Sequence, residues 1–157
     1  MRILMVCLGN ICRSPMAEGV MKQKVMDNGL DWIVESAGTN TYHTGEPPHR
    51  FSQKICKAHG IDISGQRART INREDLTKYD KIYAPADDVY GNVLSLARQG
   101  KVDNLEYFLN DLYRSGKDLN ITFNDSVPDP YYGGEDGYTH VYNLIAEACE
   151  AIIDRYR

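Results

Sequence analysis

The sequence predicts a single α/β domain of three layers: a four-stranded parallel sheet with helices on both faces. Three observations carry this. A short unbroken apolar run, Ile3 to Val6, opens the chain as a strand covered on both faces would. A helical pattern and a second strand follow it, forming a βαβ unit and hence a parallel, right-handed crossover. The remaining chain keeps alternating strand and helix signals over 157 residues, one domain's length, with no repeat, linker or low-complexity tract.

Ser14-Pro15 fits the N-cap and first position of the first helix, because proline there gives up no useful N–H. Met16, Ala17, Val20 and Met21 recur at helical spacing, and Asn28-Gly29 ends the pattern. Trp32 to Ala37 reads as the second strand, stopped by Gly38. Gly45-Glu46-Pro47-Pro48 is a loop, and Phe51 to His59 a helix closed by Gly60. Asp80 to Ala84 is the third strand, with a helix from about Asp88 to Arg98, and Leu105 to Leu109 is a short fourth strand. A long loop from Asp125 to Gly137 precedes a last helix with Val141, Leu144, Ile145, Ala148 and Ile152 on one face.

Composition removes several functional classes. The net charge of -4 gives no basic face for nucleic acid or anionic lipid, and no apolar run is long enough to span a membrane. Any bound anion must therefore be held by local geometry. Cys7, Cys12, Cys56 and Cys149 form neither CxxC pairs nor a dense disulfide framework, which suits a reducing compartment. The start does not read as a signal peptide, so the expectation is cytoplasmic, with signal-less export left open. His43, His49, His59 and His140 are scattered without ligand spacing, so neither a metal nor another cofactor is expected.

The stretch CLGNICRSPMAE, residues 7–18, needs a different explanation from turn or core. It lies just after the first strand, where parallel sheets bind ligands and a helix N-terminus presents free N–H groups. Five residues between Cys7 and Arg13 let the backbone curl around one tetrahedral oxyanion such as phosphate. Gly9 and Asn10 are residue types that tolerate the positive φ of such a curl. Arg13 supplies a planar fork of donors for two phosphate oxygens. A thiol in the same place is drawn toward its nucleophilic anion. Ser14 is placed to donate its hydroxyl to the Cys7 sulfur. Taken singly, a cysteine after a strand is a small core residue and an N-cap serine only caps.

VCLGNICRSPMAE resembles the signature of the low molecular weight protein tyrosine phosphatases almost residue for residue. The resemblance continues through ESAGT (35–39), GEPPH (45–49), KAHGID (57–62) and VPDPYYGG (127–134), in the family's order over nearly the whole chain. It implies a Rossmann-like phosphatase fold and hydrolysis of phosphotyrosine in proteins through a phosphocysteine. Cys7 would be the nucleophile, Arg13 the phosphate clamp and Asp129 the general acid and base. A tyrosyl oxygen leaving with a phenol pKa of about 10 calls for such an acid. Pro128 and Pro130 stiffen the loop around Asp129, though Pro-Asp-Pro alone would read as a turn.

The resemblance further implies that Leu8, Gly9, Asn10, Ile11, Cys12 and Ser14 surround the phosphate. Tyr42, Tyr131 and Tyr132 would wall a slot for a phenyl ring. Ser36 and His59 would hydrogen-bond Asn10 and pin the loop; read from the residues alone, His59 equally closes a helix. Ile11 is similar to the phosphotyrosine-directed members, since the branch acting on phosphoarginine tends to carry threonine there. Cys12 stands where a neighbouring cysteine can trap an oxidised nucleophile as a disulfide, or else simply packs beneath the loop. The segment Ala84 to Val89 departs from the family's pattern.

Other functions fit less well. An arsenate reductase of this fold needs further cysteines near the third strand, and residues 83–94 contain none. A cysteine phospho-carrier that keeps its phosphocysteine alive has little use for Arg13 with Asp129. A binding module needs no nucleophile, and no Gly-Lys-Ser/Thr ends the turn as in a nucleotide P-loop.

Overall fold

A computed structural model describes residues 1–115, 127–131 and 134–157. Four parallel strands, β1 (Arg2–Cys7), β2 (Ile33–Gly38), β3 (Lys81–Ala84) and β4 (Leu105–Tyr107), form one sheet in the order β2-β1-β3-β4. Between and after them come α1 (Arg13–Asp27), α2 (Arg50–Ala58), α3 (Asp75–Lys78), α4 (Asp87–Leu94), α5 (Asn110–Arg114) and α6 (Glu135–Tyr156). The predicted fold class is the observed one.

Alternation along β1 sorts the core into two. Ile3 and Met5 face one layer with α1, α2, α5 and α6, whereas Leu4 and Val6 face the other with Val89 and Val93 of α4. All four are essentially inaccessible to solvent, as a central strand sandwiched between helical layers requires. Tyr83 continues the first face on β3, and Ile82 and Ala84 the second.

Boundaries differ from the sequence reading where tertiary contacts intervene. The first helix begins at Arg13 with Cys12 as its N-cap residue, so Ser14 lies inside the first turn. Its hydroxyl is occupied by other partners, given below. The fourth helix stops at Leu94 and the fourth strand at Tyr107, both shorter than expected. The helices α3 and α5, of 4 and 5 residues, are too short to leave a periodic signal.

Because β1 is central and flanked by β2 and β3, its carboxyl end opens into the crevice between neighbouring crossovers. Cys7 is its last residue, paired in register with Gly38, the last residue of β2.

Candidate active site

The segment from Cys7 to Arg13 turns tightly at Asn10, whose φ of 59° is the only positive value at a non-glycine among the described residues. Gly9 does not share that conformation, so the strain of the turn falls on asparagine, which tolerates it better than most side chains. Three hydrogen bonds hold the buried Asn10 side chain. Its Oδ1 accepts from the Arg69 main-chain N–H at 3.0 Å, which fixes the amide orientation and turns Nδ2 toward two serines. Nδ2 donates to Ser14 Oγ at 2.8 Å and to Ser36 Oγ at 3.0 Å.

The direction of the remaining bonds follows from this. Ser36 accepts from Asn10 and donates its own hydroxyl to the buried carboxylate of Glu18 at 2.8 Å, which Lys22 also engages at 2.9 Å. Ser14 accepts from Asn10 and has its hydroxyl 3.0 Å from the Cys7 sulfur, to which it can donate. The Asn10 main-chain N–H also reaches that sulfur, at 3.3 Å. Two donors therefore converge on Cys7, and both stabilise negative charge there.

Arg13 is buried where the first turn of α1 meets the loop carrying Asp129. Its Nη1 donates to the Val127 carbonyl at 3.1 Å, and its Nη2 lies 3.5 Å from Asp129 Oδ2. Asp129 Oδ1 accepts from the Tyr131 N–H at 3.0 Å, an Asx turn that orients the carboxyl group. The departing segment Ala84 to Val89 acquires a role here. Pro85 gives its carbonyl to the Val127 N–H at 2.6 Å, tying the acid-bearing loop to the end of β3, and Asp87 and Asp88 open α4.

Cys7, Ile11, Arg13, Asp129, Tyr42 and Tyr131 are among the residues lining a cleft of about 130 Å³. The tyrosines stand at its mouth, Tyr42 with 85% of its surface exposed. His43, which pairs with Glu46, leans on the Tyr131 ring at 5.8 Å. The cleft has a polar floor and aromatic sides, a shape suited to an oxyanion attached to a flat ring.

The sequence model of the low molecular weight phosphotyrosine protein phosphatase family matches residues 2–156. The chain belongs to that family. Among its relatives, the low molecular weight protein-tyrosine-phosphatase YfkJ of Bacillus subtilis is 36% identical over 153 residues, spanning 96% of this chain and 92% of that protein. The crystal structure of YfkJ superposes with a TM-score of 0.88 at 33% identity, covering 99% of this chain and 93% of that one. A protein tyrosine phosphatase of Entamoeba histolytica, solved with Hepes in its active site, gives 0.86 at 34% identity, with 99% and 96% covered. A drosophila arginine phosphatase gives 0.86 at 28% identity, with 100% and 98% covered. The phosphatase described here is thus a hydrolase, and among its described residues no helix is long and apolar enough to cross a membrane.

In this phosphatase the signature residues Cys7, Leu8, Gly9, Ile11, Cys12 and Arg13 share the cleft with Tyr42, Asp129 and Tyr131. Asn10, Ser14 and Ser36 form the support beneath it. Tyr132 lies outside the described residues. His59 requires correction. It sits at the C-cap of α2, its Nδ1 lies 3.0 Å from the Ile55 carbonyl, and its ring stacks on Tyr142 at 4.1 Å. The place expected for it at Asn10 is filled by a main-chain N–H, that of Arg69.

Cys12 is buried against Tyr138, whose hydroxyl lies 3.2 Å from its sulfur. Burial pushes the Cys12 thiol up to about 12, and burial together with this contact raises Tyr138 above the ordinary phenol range. Sequence reasoning missed Glu18, Gly38, Arg69 and the Val127 carbonyl. Their contributions depend on contacts between segments far apart in the chain.

Proposed function

We propose that this phosphatase removes the phosphoryl group from phosphotyrosine in proteins by way of a phosphocysteine. The observation carrying this reading is the convergence of Ser14 Oγ and Asn10 N–H on the Cys7 sulfur, in a cleft where Arg13 lies 3.5 Å from Asp129.

In the first step a lone pair of the Cys7 thiolate attacks phosphorus and the bond to the tyrosyl oxygen breaks. The departing oxygen takes the proton of the Asp129 carboxylic acid, giving tyrosine and phosphocysteine. Arg13 and the main-chain N–H groups of the loop bind the equatorial oxygens, over which the transition-state charge is spread. In the second step water attacks phosphorus and gives its proton to the Asp129 carboxylate. The P–S bond breaks, and the sulfur leaves as a thiolate stabilised by the Ser14 hydroxyl and the Asn10 N–H. Inorganic phosphate is the product. This chemistry needs no metal and no organic cofactor.

Tyr42 and Tyr131 at the mouth, with apolar Ile11 inside, favour an aryl ester over a phosphoserine. A short alkyl arm would leave the slot unfilled. The four free, buried thiols suit a reducing compartment such as the cytoplasm.

The test is hydrolysis of p-nitrophenyl phosphate in EDTA, followed by comparison of phosphotyrosine, phosphoserine and phosphoarginine peptides. We expect turnover with chelator present, preference for phosphotyrosine, and complete loss in Cys7→Ser. Full activity of Cys7→Ser would refute the mechanism, and preference for phosphoarginine would refute the substrate.

A further inference from the structure

The sequence around residue 49, GEPPHRFS, puts a histidine at the position that starts a helix, where Ser, Thr, Asp or Asn is usual. His49 fills the role with its ring. Its Nδ1 accepts from the Phe51 N–H at 3.1 Å, which caps α2 and requires that nitrogen to carry no proton. The same residue's main-chain N–H donates to the Ile11 carbonyl of the phosphate loop at 2.7 Å. One turn later, Ser52 Oγ donates to the Cys12 carbonyl at 3.4 Å. The start of α2 is thus fastened to the loop between Cys7 and Arg13.

The ring does more than cap. It stacks on Tyr138 at 5.1 Å and 21°, and Tyr138 is the residue whose hydroxyl meets Cys12. Its edge meets Tyr131 at 5.9 Å and 76°. Tyr131 follows the acid by two residues and lines the cleft. His49 therefore joins three parts of the site: the phosphate loop, the wall carrying Tyr131, and the first turns of α6.

We propose that His49 is a positioning residue whose neutral imidazole holds the Tyr131 wall and the phosphate loop in their working arrangement, and whose protonation releases them. A proton on Nδ1 would face the Phe51 N–H, donor against donor. The ring must then turn away, and its contacts with Tyr131 and Tyr138 go with it. The groups facing His49 sharpen this. Burial disfavours its cation most, Arg50 on its own helix and His43 from the loop after β2 add to that, and the rings packed against it are those of Phe51, Tyr131 and Tyr138. Together these lower its pKa below the ordinary histidine value. The neutral, capping form accordingly persists through neutrality into mildly acid solution. The inference rests on the catalytic reading above and adds to it a residue that touches neither substrate nor sulfur.

The test uses the full chain and two variants, each keeping half of the residue's function. His49→Asn retains a good cap without titrating, and His49→Phe retains the ring without a cap. Profiles of kcat/KM for p-nitrophenyl phosphate are recorded from pH 4.5 to 8, alongside an NMR titration of the His49 ring in the parent. The substrate's own ionisation is common to all three enzymes and cancels in the ratios. One pH unit below the pKa of His49 about one molecule in ten retains the neutral ring, so the parent should fall by more than threefold and up to about tenfold relative to its own plateau, beyond the decline shared with either variant. At pH 7, His49→Asn should raise KM about threefold, the expected loss from one aromatic contact to Tyr131, with kcat little changed. An acid limb identical in the parent and both variants would overturn the proposal. So would an inflection lying away from the NMR pKa. Absence of turnover in the parent at every pH would instead overturn the catalytic reading itself.

Discussion

Gly38 offers the sharpest test of how the loop between Cys7 and Arg13 is held. It ends β2 beside Cys7, and it makes no contact that chemistry would require. A methyl group built there would lie 2.9 Å from the Leu8 carbonyl oxygen, 3.0 Å from the Asn10 nitrogen and 3.0 Å from the Gly9 carbonyl carbon. All three are main-chain atoms of the loop between Cys7 and Arg13. Gly38 cannot retreat. Its N–H donates to the Arg69 carbonyl and its carbonyl accepts from the Ile71 N–H, each at 2.8 Å. The loop must therefore move by about 0.5 Å to restore an ordinary carbon contact of about 3.5 Å. Overpacking of this kind costs about 1–3 kcal/mol, or a fall in Tm of about 4–8 °C at its middle value for a chain of this size.

The kinetic cost should be larger. A misplacement of 1 Å can reduce rate about 100-fold, so half that displacement predicts about a tenfold loss in kcat/KM for Gly38→Ala. Inorganic phosphate should inhibit more weakly by a similar factor, on the proposed role of the loop's N–H groups in holding its oxygens. Gly9→Ala is the control. There the added carbon meets the His43 side chain at 2.9 Å and no backbone outside its own neighbours. His43 can swing aside, and the loss should stay within about threefold. Equal activity for Gly38→Ala and the parent, with unchanged phosphate inhibition, would refute the claim that close backbone packing shapes the loop.

Asp129→Ala should lower kcat about 100-fold or more for phenyl phosphate, whose leaving oxygen needs a proton, and far less for esters of strongly acidic phenols. A uniform loss across a series of leaving groups, measured by steady-state rates, would place the acid elsewhere. Asn10→Ala removes three buried hydrogen bonds of about 1 kcal/mol each and leaves alanine at positive φ for about 1 kcal/mol more. Calorimetry should show Tm lowered by about 8–16 °C. Burial raises the thiols of Cys12 and Cys56 from an ordinary 9.0 to about 12. Above pH 9 the unfolded chain releases protons that the native state retains, so stability is full below that pH and is lost as pH rises toward 12. Urea midpoints should thus be flat from pH 7 to 9 and fall steadily beyond, more steeply than in Cys56→Ala.

The turn between Cys7 and Arg13 was legible because it is local. Cys7, Asn10, Arg13 and Ser14 lie within one strand-to-helix junction, and each residue's chemistry constrains its neighbours. Even there the sequence misleads once, since Ser14-Pro15 advertises a helix cap while the Ser14 hydroxyl serves Cys7 and Asn10 instead. The β1 strand was legible for a related reason: a run buried on both faces cannot be confused with a half-exposed one.

What holds the loop still could not be read in the same way. Asn10 is fixed by a main-chain N–H 59 positions away, and a backbone donor leaves no trace in residue type. His59 was the candidate that the family resemblance implied. In the structure, α2 carries it to its own C-cap beneath Tyr142. His49, ten residues earlier on the same helix, reaches the site because it sits at the opposite end. One helix thus presents a histidine at each terminus, and only the one at the N-terminus borders the phosphate loop. Side-chain chemistry names the groups able to act, but the direction a helix runs selects between them. The bond from the His49 N–H to the Ile11 carbonyl sets the start of α2 against the loop that follows β1. Lengthening the 45–48 loop by one residue would keep every side chain named here, yet would draw that bond out of register. A kcat/KM unaffected by such an insertion would mean that α2 plays no part in holding the loop.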